Sequence, residues 1–121
     1  YGWAGADYGL WSKGLIEAID YQTGKVRWSH PAGPRGSGAG VLTTASGLTI
    51  TGDAEGNLLA LDTRTGKTLW HAGTGSPMQS SPICYELDGR EYIMTSSGGV
   101  LFAWALPEPL IAGRSRSAAG R

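Results

Sequence analysis

Short runs of apolar and polar residues alternate along this chain, and no stretch holds the three-to-four-residue apolar spacing of a long amphipathic helix. The clearest run is Leu48-Thr49-Ile50-Thr51, which alternates as a half-buried strand does. Similar runs at 15–19, 26–29, 41–45, 58–61, 67–71, 82–87, 90–95 and 100–106 predict further strands. Turn residues separate them: Ser46-Gly47, the Asp53 to Asn57 segment, and Asp88-Gly89, a strong two-residue hairpin signal. Longer connections are expected at 30–40, rich in Gly and Pro, and at 72–80. Residues 1–13, with many Gly and aromatic side chains, are expected to be a loop leading into the first strand.

One stretch occurs twice. Ala18, Asp20, Thr23, Gly24, Lys25 and Trp28 recur as Ala60, Asp62, Thr65, Gly66, Lys67 and Trp70, in the pattern A-x-D-x-x-T-G-K-x-x-W. The two copies lie about 40 residues apart, a period found in propeller blades and in helical repeats. Local chemistry decides for a hairpin. The Asp carboxylate can accept N–H groups of the loop that follows it. The Gly supplies the positive φ that closes a type I turn with a bulge, whereas in a helix it would cost about 1 kcal/mol. The Trp then stands at a fixed place on the outgoing strand, with one N–H that needs an acceptor. In a ring of sheets it could stack against the next sheet, with the small Ala leaving room.

These features predict an all-β fold, a partial β-propeller of four-stranded antiparallel blades. Residues 1–28 would end one blade, 29–72 would form a complete four-stranded blade, and 73–107 a last blade of three strands. A chain of 121 residues holds fewer than three such units, so it is expected to be a piece of a longer protein. A three-stranded last blade can close a ring if the N-terminus of the whole protein supplies the outer strand. Residues 108–121 carry several Arg and no apolar periodicity, and are expected to be a disordered, solvated tail.

Composition changes this picture little. Twenty Gly, five Trp and five Tyr against one Phe suit repeated sheets. A formal net charge of zero gives no reason to expect nucleic acid or an anionic membrane, and no apolar run is long enough for a membrane-spanning helix. Cys84 has no second cysteine to pair with and reads as a buried, inert thiol.

The two repeated stretches resemble the tryptophan-docking motifs of the pyrroloquinoline-quinone (PQQ)-dependent dehydrogenases. VLTTASGLTITGDAEGNLLALD and SPICYELDGREYIMTSSGGVLFAWALP resemble the last blades of that family in order and spacing. The resemblance implies two to three blades of an eight-bladed, usually periplasmic parent. The parent would oxidise alcohols or aldose sugars, with PQQ taking two electrons and a calcium or lanthanide ion polarising it. Its partners would be the remaining blades and an electron acceptor such as a cytochrome c or a quinone. The family's catalytic Asp and its metal-holding Glu and Asn lie upstream of the matched part, so no catalytic or metal residue is assigned here. Family members with strong alcohol dehydrogenase activity often carry Trp-Gly-Gly in the loop just before VLTTA, nearest the cofactor; this sequence has no Trp there. Gly38, Ala39 and Gly40 stand at those positions and are the candidate cofactor-binding residues. The alternative is a non-catalytic propeller that uses the same repeats as a binding or assembly scaffold.

Other candidate chemistry is weaker. The 36–41 segment lacks the third Gly of a dinucleotide loop, since position 41 is Val. Asp53, Glu55 and Asn57 start like a calcium-binding loop, but its sixth and twelfth positions are Leu58 and Arg64, so a hairpin turn is expected. His30 and His71 have no second ligand at metal spacing. Ser37 and Ser80 lack a nucleophile-elbow pattern. Met78 is expected to fill a gap and Arg35 to lie on the surface.

Overall fold

The structure, a computed structural model, describes residues 14–33 and 38–107. The expectations for 1–13, for the tail at 108–121 and for Arg35 and Ser37 fall outside these residues. Among the described residues there are nine strands: β1 (Leu15–Ile19), β2 (Val26–Pro31), β3 (Leu42–Thr43), β4 (Leu48–Gly52), β5 (Asn57–Asp62), β6 (Thr68–Gly73), β7 (Ile83–Leu87), β8 (Arg90–Ser97) and β9 (Val100–Ala105). They form three antiparallel sheets with sequential order: β1-β2, β3-β4-β5-β6 and β7-β8-β9. The all-β, partial-propeller reading stands.

Two elements differ in extent from the sequence expectation. β2 runs on through His30 and Pro31, where a loop is expected; Pro31 pairs with Leu15 at the far end of the ladder. A strand that pairs on one side only can end in a residue with no N–H to donate. β3 holds only two residues because Thr44 leaves the ladder for a turn. Its backbone N–H donates to the Leu48 carbonyl, and its own carbonyl accepts the Gly47 N–H.

Both repeated hairpins carry the expected bulge. Pairing slips between Ala18 and Ile19 in one and between Ala60 and Leu61 in the other. Gly24 and Gly66 have φ of 68° and 71°, the left-handed conformation in which a Cβ is costly.

The middle sheet is covered on both faces, so β4 and β5 are buried almost throughout. Alternation sends Ile50, Leu58 and Ala60 toward the third sheet, where they form one core with Met78 and Ile93. Thr49 and Thr51 face the first sheet and are buried. The Thr49 hydroxyl is satisfied by the Thr63 hydroxyl at 2.8 Å. Leu58 and Leu61 are completely enclosed, each contributing roughly 1.5–3 kcal/mol of burial.

Candidate functional site

The sheets present two chemically different ends. One end gathers the two repeated turns, Asp20 to Lys25 and Asp62 to Lys67, whereas the turns at 53–56 and 98–99 lie at the opposite end. The other gathers the longer connections and the segment 38–40 that leads into β3.

At the turn end, each Asp organises its own loop. Asp20 Oδ1 accepts the N–H groups of Gln22 and Thr23 at 3.0 Å each. Asp62 Oδ1 accepts those of Arg64 at 2.8 Å and Thr65 at 3.0 Å. The Thr23 N–H, then that of Gln22 and the Arg27 guanidinium, hold Asp20 below the usual carboxylate range. For Asp62 the Arg64 N–H has the largest influence in the same direction. A carboxylate held ionised by three or four donors is a cap, not an acid/base group.

The two Trp side chains fare differently. Trp28 reaches from the first sheet to the second: Nε1 donates to the Thr63 carbonyl at 2.9 Å, and the ring lies flat against Gly66. A Cβ at Gly66 would come within 2.5 Å of that ring. Thr63, between Asp62 and Arg64, is thus a contact residue outside the repeated pattern. Trp70 stays 45% exposed and meets Trp104 edge-on at 6.2 Å.

At the loop end, Gly38, Ala39 and Gly40 come together with residues 78–81, which lead into β7. Ala39 packs on the core, Gly38 lies over Gln79, and Gly40 lies against Ser81. Nearby, a shallow depression of about 480 Å³ is lined by Ser76, Gln79, Ser80, Ser96 and Gly98. Two of its hydroxyls, those of Ser80 and Ser96, bond each other at 2.9 Å. Ser80 Oγ accepts the Ser96 N–H at 3.1 Å, and Ser97 Oγ donates to the Ser76 carbonyl at 2.6 Å. Ser80 is thus a clamp between two segments. Met78 is fully buried and fills the gap between sheets, as expected.

The remaining candidates are structural or scattered. Asp53 accepts the Asn57 backbone and side-chain N–H groups at 2.8 Å each, closing a turn. Among the described residues no group of three His, Cys, Asp or Glu side chains could hold a metal. His30 on β2 and His71 on β6 have no ligand partner there. Cys84 is half-buried rather than buried. Its thiol donates to Glu91 Oε1 at 2.8 Å, and burial, with help from Glu91, pushes its pKa to about 11. That makes it inert near neutrality. No helix among the described residues is long and apolar enough to cross a membrane.

Comparison with known proteins bears on this arrangement. Residues 11–93 match the family profile described as PQQ: Glucose/ethanol/alcohol dehydrogenase, beta-propeller domain. The chain is 41% identical over 93 residues to the quinoprotein alcohol dehydrogenase PedE of Pseudomonas putida, covering 75% of this chain and 15% of that protein. The fold is similar to quinohemoprotein alcohol dehydrogenase from Comamonas testosteroni, with a TM-score of 0.64 and 34% identity over 69% of this chain and 12% of that one. It is also similar to a europium-containing methanol dehydrogenase, with a TM-score of 0.64 and 30% identity over 70% of this chain and 15% of that one. The chain thus spans a small part, 15% in the case of PedE, of the length of its relatives.

Proposed function

The chain belongs to the PQQ β-propeller family of glucose, ethanol and alcohol dehydrogenases, and from that premise we propose that it supplies consecutive blades of a dehydrogenase that oxidises alcohols or aldose sugars. The carrying observation is the agreement of the family match over 11–93 with three sequential sheets, the first two joined through Trp28 and Gly66 and the last two through the core around Met78. In this reading β1 and β2 end one blade, whose boundary falls after Pro31 instead of at Trp28, β3 to β6 form a complete blade and β7 to β9 form the next. The repeated hairpins act as docking units between blades, and the chain's own part is structural.

PQQ is flat and carries several carboxylates. Segment 38–40 fits one wall of a pocket for it. Two glycines bring bare backbone to the loop end of the sheets, where a ring can approach closely. The described residues do not fit its metal, because they bring no set of ligands together. Calcium or a lanthanide would therefore be held by other parts of the whole protein, as would the catalytic base. When bound, PQQ supplies the two-electron acceptor. This chain's residues would orient its edge and exclude water from one side. We place the whole protein in the periplasm, passing electrons to a cytochrome c or a quinone.

The test is reconstitution of the full-length protein with PQQ and either calcium or a lanthanide, followed by dye reduction with primary alcohols and aldoses. Turnover by the whole protein and none by the 121-residue chain is expected. A whole protein that neither binds PQQ nor turns over would overturn the dehydrogenase reading. Turnover by the isolated chain would overturn its structural role.

A further inference from the structure

The segment 38–40 owes its place to a neighbour from the next sheet. A Cβ built on Gly40 would lie 2.0 Å from Ser81 Oγ, 2.7 Å from Ser81 Cβ and 3.1 Å from Ser81 Cα. Real Cβ atoms do not approach other atoms so closely, so Gly at 40 and Ser at 81 are fitted to each other. A second close approach lies directly behind. A Cβ on Gly52, at the end of β4, would lie 2.8 Å from Met78 Cβ, 2.9 Å from Met78 Sδ and 3.1 Å from Ala39 Cβ. Met78 is completely enclosed and pairs with Ser97 as an isolated bridge. Ala39 is therefore held between β4 and Met78, while Gly40 is held by Ser81.

Neither Gly40 nor Gly52 has a positive φ, so backbone conformation does not explain their lack of a side chain. Close approach does. This differs from Gly24 and Gly66, where the turn itself requires glycine.

We infer that Ser81 and Met78 are positioning residues: they fix segment 38–40 from the adjacent sheet, and so set where the cofactor wall stands. The inference rests on the preceding reading that this segment faces PQQ. Its consequence is that cofactor affinity depends on a contact between two blades and on a residue, Ser81, that need not touch the cofactor.

Gly40→Ala and Ser81→Gly form a reciprocal pair. The first overfills the contact and the second empties it; together they restore one small side chain at the junction. In the full-length protein, Gly40→Ala is expected to weaken PQQ binding about tenfold or more, by displacing the segment. Ser81→Gly alone should weaken it by a smaller factor, and the double variant should return close to the starting affinity. The readout is the absorption spectrum of bound PQQ in a titration, with hydrogen exchange of residues 38–40 in the same four proteins. Exchange should rise in both single variants and fall again in the double.

Unchanged exchange in both single variants would overturn the contact itself. Altered exchange with unaltered PQQ affinity and spectrum would overturn the positioning role. A starting protein that binds no PQQ removes the cofactor reading, while the exchange pattern still decides the contact. If Gly40→Ala fails to fold, Ser81→Gly alone carries the test: unchanged exchange and unchanged affinity in that variant would sink the inference.

Discussion

The two copies of the repeated hairpin share their turn geometry and differ in what touches them. Asp20 and Asp62 cap their loops with the same pattern of bonds, and Gly24 and Gly66 hold nearly the same φ. Yet Gly66 carries the Trp28 ring on its face, whereas a Cβ on Gly24 would meet nothing within 4 Å. Trp28 has an acceptor in the Thr63 carbonyl; among the described residues Trp70 has none, and it stays half open to solvent. The motif therefore encodes a turn and offers an indole. Whether the offer is taken up depends on a neighbouring sheet. A shared sequence pattern predicts local conformation well and energetic weight poorly.

That contrast can be broken most sharply at the two glycines. Gly66→Ala combines the left-handed backbone penalty with a collision against Trp28, and should destabilise the chain by about 2–5 kcal/mol. Gly24→Ala meets only the backbone penalty, about 1–2 kcal/mol. Chemical denaturation of both variants measures the difference; equal losses would mean that the Trp28 contact carries no weight.

The indoles come next. Trp28→Phe keeps most of the apolar area and leaves the Thr63 carbonyl without its partner, a loss of about 1–2 kcal/mol. Trp70→Phe removes an N–H that has no acceptor among the described residues, on a side chain 45% exposed, and should change stability by less than about 0.5 kcal/mol. The same denaturation assay compares them.

A smaller effect separates the caps by pH. Both Asp carboxyls are held below their ordinary value of 3.8 by N–H donors. The folded chain therefore binds fewer protons than the unfolded chain in this range. Their stabilisation is complete above the unfolded value and is lost as pH falls through the folded one. Asp20→Asn and Asp62→Asn should each flatten the acid limb of the stability curve measured from pH 5 down to pH 2. A curve as steep as that of the unsubstituted chain would remove the carboxylates from the account.

The smallest effect concerns salt. Asp20 also pairs with Arg27 at 3.0 Å, whereas Leu69 stands at the equivalent place in the second copy. At 1 M salt, where screening acts within about 3 Å, the Asp20 pKa should rise more than that of Asp62. Carboxyl titration by NMR at low and high salt reads this directly. Equal rises would show that Arg27 adds nothing beyond the backbone donors.

Much of the architecture was legible in the residues. Strand positions followed from alternation, as at Leu48 to Thr51, and both bulged turns from Asp and Gly at fixed spacing. The short β3 was less legible, because Thr44 exchanges a ladder bond for a turn bond of similar strength. The path of β2 through Pro31 was hidden by composition: Pro reads as a breaker unless the strand is known to lie at an edge. Of the candidate site, the loop position before β3 could be read from the sequence, but Met78 and Ser81 could not be placed beside it, nor Thr63 against Trp28 at the other end. Nothing in their identity distinguishes them from other loop residues, since their importance comes from which backbone they approach.

By itself, then, the sequence determined the turns, the strand order and the family, because each rests on interactions between residues close along the chain or on a pattern repeated within it. Only the tertiary structure decided which glycine carries an indole, which indole finds an acceptor and what holds segment 38–40. Those contacts join residues from different sheets, and close packing admits or excludes a single carbon atom at distances that no linear spacing encodes.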